Sequence, residues 1–98
     1  MLLRDRNPRA WSLSLSPLFE RAFETRVGID DHGWDVLDSL EEVMYIDPRA
    51  AGEPHPGFPD ENIWIYESPP ISGWPQVAVL YEINDERNRV IFWNLWIR

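Results

Sequence analysis

The stretch that decides the fold runs from Val77 to Ile97 and reads VAVLYEINDERNRVIFWNLWI. Residues 77–83 and 90–97 are rich in β-branched and aromatic side chains, and the polar segment 84–88 separates them. Runs of this composition are typical of β-strands, and a short polar segment between two of them indicates a hairpin. The stretch therefore predicts two long antiparallel strands joined by a turn.

Two further strands are predicted upstream of this hairpin. Residues 63–66 read IWIY, which is apolar on both faces and is typical of a strand that is covered on both sides. Residues 11–16 read WSLSLS, a strict alternation that is typical of a half-buried strand. The last three strands form a predicted antiparallel meander, and the first strand joins the same sheet.

Two helices are predicted between the first and second strands. Ser16 and Pro17 are a favourable helix start, because the hydroxyl caps the helix and proline is tolerated at the first helical position. Apolar residues at helical spacing then continue to about residue 27. The same spacing recurs from Trp34 to the stop at residues 47–48, with an acidic outer face. Residues 30–33 are predicted as a turn, and the proline-rich residues 47–61 as a long ordered loop without regular structure.

These elements predict an α+β fold in which two N-terminal helices pack on a four-stranded, mainly antiparallel sheet in the order β-α-α-β-β-β. The 98 residues are enough for a single domain, 1–98, in which we expect residues 1–10 to form a flexible N-terminal extension. The helices cover one face of the sheet. For the other face two alternatives stay open: it is a groove that receives a partner, or the proline-rich loop folds over it.

The charge and composition exclude several classes of function. The net charge is −8, and residues 30–86 contain one Arg against fourteen acidic residues. Such a distribution disfavours binding to a polyanion, unless the Arg residues near the two ends of the chain form the contact. There is no Cys and there are only two His, so we expect neither a metal site nor a cofactor. No apolar run is long enough to span a membrane, and a cytoplasmic protein without membrane contact is expected.

Three strings resemble the RelE/ParE superfamily of bacterial toxins: the P-x-x-x-G segment from Pro48 to Gly52, VLYEINDE at 79–86 and VIFWNLWIR at 90–98. The resemblance implies the toxin of a type II toxin–antitoxin pair. Such toxins are mRNA endonucleases that act on the ribosome, or poisons of DNA gyrase, and an antitoxin protein holds them inactive. The expected partners are therefore an antitoxin and either the ribosome with its mRNA or DNA gyrase.

The chain departs from the endonuclease pattern at two places. Ala78 stands where RNA-cleaving members carry a phosphate-contacting Arg, and Arg98 stands at the end of the chain where they carry His or Tyr. Two functions stay open: an mRNA endonuclease with a reduced basic site, or a non-catalytic protein that acts by binding other proteins. The candidate catalytic residues are Arg98, Arg89, His55 and Tyr81; the candidate RNA-binding residues are Arg49 and Arg87; and the candidate partner-binding residues are Trp93 and Trp96.

Overall fold

The computed structural model describes residues 11–58 and 62–98, and the predicted N-terminal extension, residues 1–10, lies outside the described residues. Eight elements follow one another along the chain. They are β1 (Ser12–Leu15), α1 (Pro17–Arg26), α2 (Asp31–Ile46), α3 (Pro48–Ala51), β2 (Glu53–Pro54), β3 (Ile63–Glu67), β4 (Val77–Asn84) and β5 (Arg89–Ile97).

The strands form one mixed sheet in the order β1-β5-β4-β3-β2. β1 runs parallel to β5, and all the other neighbouring strands are antiparallel. The predicted α+β class and the C-terminal meander are confirmed. The sheet has five strands among the described residues, one more than predicted, because the two residues of β2 pair with β3.

The hydrophobic core lies between the two long helices and one face of the sheet. Phe19 on α1 and Met44 on α2 are fully buried, and so are Tyr81 on β4 and Phe92 on β5. The rings of Phe19 and Phe92 are 5.1 Å apart between centroids, which joins α1 directly to the sheet. Burying each such side chain contributes about 1.5–3 kcal/mol, so this face is the main source of stability.

The start of α1 confirms the prediction from Ser16 and Pro17. The Ser16 hydroxyl accepts a hydrogen bond from the Phe19 backbone N–H at 3.1 Å, and Pro17 occupies the first helical turn. The same hydroxyl donates to the Trp93 carbonyl at 3.0 Å, which ties the helix start to β5. A cap of this kind stabilises a helix by roughly 0.5–2 kcal/mol.

The start of α2 corrects the prediction of a turn at residues 30–33. Asp30 caps the helix, because its carboxylate accepts from the Gly33 backbone N–H at 2.7 Å, and residues 31–33 form the first helical turn. Gly33 faces the Gly28 carbonyl so closely that a Cβ there would overlap it. The residue types at 30–33 that indicated a turn therefore have other roles: Asp30 caps the helix, and Gly33 allows the close approach to the Gly28 backbone.

The prediction that residues 47–61 lack regular structure was wrong within the described part of that segment. Asp47 caps the short helix α3 by accepting from the Arg49 backbone N–H at 3.0 Å. Glu53 and Pro54 then pair with β3 as an edge strand, a position where proline is tolerated. The four residues of 63–66 are each partly exposed, so the prediction of a strand covered on both sides was also wrong, because β3 lies near the edge of the sheet.

Candidate functional site

The face of the sheet opposite the helices is the candidate site, and we call it the open face. Alternation along the strands places Ile65, Leu80, Glu82 and Trp96 on it, while their neighbours Tyr66, Val79, Tyr81 and Leu95 face the helices. No helix among the described residues 11–58 and 62–98 contributes to it. Residues 53–54, from the proline-rich segment, extend the edge of the sheet and do not fold over this face.

Two tryptophans dominate the open face. Trp93 and Trp96 keep 39% and 37% of their surface exposed, although both lie on β5, an inner strand that is paired on both sides. Trp93 sits at an irregularity of the β4–β5 register, where Leu80 pairs with Asn94 and the next residue, Tyr81, pairs with Phe92. Trp93 is thus the extra residue of a β-bulge, and the one-residue shift that it introduces places Trp96 on the same face as Leu80 and Ala78. Its Nε1 donates to the Glu82 carboxylate at 3.0 Å, so the ring is held in place on the surface.

Three carboxylates lie on the same face, on the strands from β4 to the β2 edge. Glu82 lies beside Trp93, Glu67 lies on the neighbouring strand, and Glu53 pairs with Ile65 on the edge strand. Glu53, Ile65 and Glu67 also line a polar hollow of about 500 Å³ at the border with α3. The open face is therefore apolar at its centre and acidic at its side.

Ala78 lies on the open face at the position where the resemblance expects a phosphate-contacting Arg. It pairs with Glu67 on β3 and with Trp96 on β5, and it is only 1% exposed. Arg98 forms an ion pair with Glu67 at 3.0 Å, so the nearest guanidinium is already matched by a carboxylate. Among the described residues, every cationic side chain in this part of the open face is paired with a carboxylate.

The predicted cations do not converge on one point. Arg89 and Arg98 lie at opposite ends of β5, roughly 30 Å apart at the usual rise of a strand. Arg49 forms an ion pair with Asp85 at 2.6 Å, and this contact raises the pKa of Arg49 and lowers that of Asp85. Arg87 lies beyond Asp85 in the exposed β4–β5 turn. Arg49 and Arg87 thus come near one turn, but a carboxylate neutralises Arg49 there.

The remaining two catalytic candidates lie in different surroundings, Tyr81 in the core on the helix side of the sheet and His55 just after the edge strand β2. Tyr81 is fully buried, and its hydroxyl donates to the Pro48 carbonyl at 2.6 Å. Burial, followed by the charge of Asp47, raises the pKa of Tyr81 above its ordinary value. His55 follows β2, where its Nδ1 accepts from the Gly57 N–H at 2.9 Å and its ring packs beside Phe58. Neither side chain shares a hydrogen bond with the predicted arginines.

The functional residues that the sequence reasoning missed are the carboxylates Glu67 and Glu82. Each is paired across the sheet, with Arg98 and Trp93 respectively. The hairpin register could have revealed the second pair, because a turn at 85–88 places position 82 diagonally across from position 93. Within the described residues, no group of three or more His, Asp or Glu is arranged to hold a metal ion. No helix in that part of the chain is long and apolar enough to cross a membrane.

No protein-family model matches the chain, and no curated protein sequence matches it either. Solved structures do. The toxin–antitoxin complex RelBE2 from Mycobacterium tuberculosis is similar with a TM-score of 0.65 at 15% identity, covering 91% of this chain and 92% of that one. The intact E. coli RelBE toxin–antitoxin complex is similar with a TM-score of 0.58 at 21% identity, covering 88% of this chain and 94% of that one. A mutant of the E. coli toxin RelE in the free state gives a TM-score of 0.53 at 21% identity, covering 88% and 81%.

Proposed function

We propose that this chain, which has a RelE-like fold, is the toxin-fold member of a type II toxin–antitoxin pair and acts by binding protein partners rather than by cleaving RNA. An antitoxin is the first expected partner, since two of the similar structures are toxin–antitoxin complexes. Both members of such a pair are expected in the cytoplasm. The observation that carries the proposal is the open face, where two partly exposed tryptophans lie on β5 and Glu82 holds one of them in place.

The exposed tryptophans supply the binding energy in this proposal. Tryptophan is enriched at the centres of protein interfaces, where a few large side chains carry most of the affinity. At 39% exposure, Trp93 presents roughly 90 Å² of a side chain whose full area is about 230 Å². Covering that area contributes about 2 kcal/mol at ~25 cal/mol per Å². Loss of this contact corresponds to roughly a thirtyfold change in Kd.

The endonuclease alternative is less favoured by the same geometry. Cleavage needs a group that removes the 2′-hydroxyl proton and cations that stabilise the charged phosphorane at one point. Arg89 and Arg98 are at opposite ends of a strand, and the hydroxyl of Tyr81 is buried under α3. Ala78 replaces the expected Arg, and the nearest guanidinium, that of Arg98, is paired with Glu67. A protein target, DNA gyrase among the possibilities, requires none of these groups.

The proposal predicts a small open reading frame for an antitoxin beside the gene, and it is tested by expressing the protein from an inducible promoter in a bacterium, with and without the product of that reading frame. We expect growth arrest that the neighbouring protein relieves, without new RNA ends. Purified neighbouring protein should bind the wild type, and Trp93→Ala should raise the Kd roughly thirtyfold. Trp34→Ala is the matched control, since Trp34 is 49% exposed but lies on α2.

Two results would count against this function. New RNA ends on induction that disappear in Arg98→Ala would support the endonuclease. An unchanged Kd in both Trp93→Ala and Trp96→Ala would show that the open face does not bind the partner. Each variant is first checked by thermal melting, because a lost fold would weaken binding without any role at the interface.

A further inference from the structure

A groove lies on the helix side of the molecule, away from the open face, and we call it the α2 groove. It runs between α2 and the segment that joins β3 to β4, and its volume is about 200 Å³. Its apolar lining is Val36, Leu40, Val43, Tyr66, Ile71, Trp74 and Val77. Sites for drug-sized ligands enclose roughly 300–1,000 Å³, so a groove of this size suits one or two apolar side chains of a protein segment.

A row of carboxylates runs along α2 beside this groove. Asp31, Asp35, Asp38 and Glu42 recur at intervals of three or four residues, which places them on one side of the helix. Glu42 itself lines the groove. We call these four residues the acidic row. α2 contains no Lys or Arg that could neutralise it.

The acidic row is uncompensated within the described residues. The ion pairs found there are those of Arg49 and Arg98, and neither involves α2. Like charges three or four positions apart destabilise a helix by about 0.2–0.5 kcal/mol per pair. Glu41, beside the row, has its pKa raised by burial and then by the charge of Asp38. The helix thus keeps a repulsion that a cationic neighbour would relieve.

Exposed apolar side chains border the groove and the row. Ile71, in the β3–β4 segment, is 52% exposed and lines the groove. Ile46, at the end of α2, is 78% exposed. The combination of an apolar groove, exposed apolar rims and a line of negative charge is complementary to a segment with one apolar and one basic side.

We propose that the α2 groove and the acidic row together bind a basic amphipathic helix of a partner protein. Its apolar side chains enter the groove against Ile71, and its Lys or Arg side chains lie along the acidic row. A second copy of this chain is the wrong occupant, because in a two-fold contact its own α2, which has no Lys or Arg, would offer the acidic row no cation. This surface is separate from the open face, so the proposal can be tested independently of any role of Trp93.

The test uses the full chain and a fluorescein-labelled 18-residue helical peptide with Leu on one face and Lys on the other. Fluorescence anisotropy measures its Kd at low and at high salt. We expect binding that weakens as salt rises, while peptides with Glu in place of Lys, or with Ser in place of Leu, bind at least tenfold more weakly. Ile71→Ser should raise the Kd about fivefold or more. Leu18→Ser is its matched control, since Leu18 on α1 is also 52% exposed.

Charge is tested separately with Asp38→Asn/Glu42→Gln, which should raise the Kd about fivefold. The matched control is Glu20→Gln/Glu24→Gln, two exposed carboxylates on α1, which should change the Kd less than twofold. Equal losses in the α1 and α2 variants would reduce the binding to general attraction by the net charge and overturn the proposal. So would tight binding of the Glu peptide. A dimer in sedimentation that Ile71→Ser dissociates would assign the groove to a second copy and likewise overturn it.

Discussion

Replacing Tyr81 with Phe distinguishes a structural tyrosine from a catalytic one. The hydroxyl donates to the Pro48 carbonyl at 2.6 Å in the buried interior, and this contact holds α3 on β4. Tyr81→Phe removes the donor and leaves that carbonyl without its partner. A buried hydrogen bond contributes about 0.5–1.5 kcal/mol, and an unsatisfied buried polar group costs roughly 1–3 kcal/mol. We therefore expect the free energy of unfolding to fall by about 1–2 kcal/mol.

The assay is urea unfolding followed by far-UV circular dichroism, together with thermal melting. For a domain of this size each kcal/mol lowers Tm by roughly 4–8 °C. Tyr66→Phe is the matched control, because Tyr66 is half-buried and its hydroxyl makes no hydrogen bond within the described residues; it should change stability by less than about 0.5 kcal/mol. Unchanged stability in Tyr81→Phe, combined with lost toxicity on expression, would refute the structural role and return Tyr81 to the catalytic candidates.

Three further outcomes are expected. Asp38→Asn should raise the free energy of unfolding by about 0.6–1.5 kcal/mol at low salt, because it removes three like-charge pairs with Asp35, Glu41 and Glu42. Salt screens this repulsion, so the gain in stability should be smaller in 1 M salt. Equal gains at both salt concentrations would show that repulsion is not the cause. Gly33→Ala should lower the free energy of unfolding in urea by roughly 1–3 kcal/mol, because the added Cβ would overlap the Gly28 carbonyl. A more stable variant would show that α2 can move away from α1. Stability should fall as the pH rises above ~10, because the pKa of Tyr81 is higher in the folded protein than in the unfolded chain, which therefore loses the proton first. Urea unfolding midpoints measured across this pH range should fall less steeply for Tyr81→Phe than for the wild type.

The parts of the fold that were predictable are those in which local chemistry and packing agree. The hairpin of β4 and β5, the cap at Ser16 and the apolar face of α2 each follow from residue types that have one favourable arrangement. The errors lie where identical residue types serve two arrangements. Asp30 favours both a turn and a helix cap, and Pro48 both ends one helix and begins the next. Only the contact of Gly33 with Gly28 decides the first case, and that contact is not visible in a local pattern.

The candidate site was less predictable because it depends on contacts between distant positions. The sequence shows that Arg49 and Arg98 are basic but not that Asp85 and Glu67 neutralise them. It shows six tryptophans but not which of them are exposed. The outward position of Trp96 depends on a bulge at residue 93, a one-residue irregularity that no periodicity predicts. The assignment of the named site residues to catalysis or RNA binding stays a prediction.

The parallel pairing of β1 with β5 determines when this molecule can fold during its synthesis. The contact between Ser16 and Trp93 joins positions 77 residues apart, and α1 packs on the same distant strand. Until β5 has left the ribosome, the apolar faces of β1 and α1 have no sheet to cover them. Contacts between such distant positions slow folding, and the uncovered surfaces are open to chaperones meanwhile. Because β5 also presents Trp93 and Trp96, the open face comes into existence only in the last step of folding.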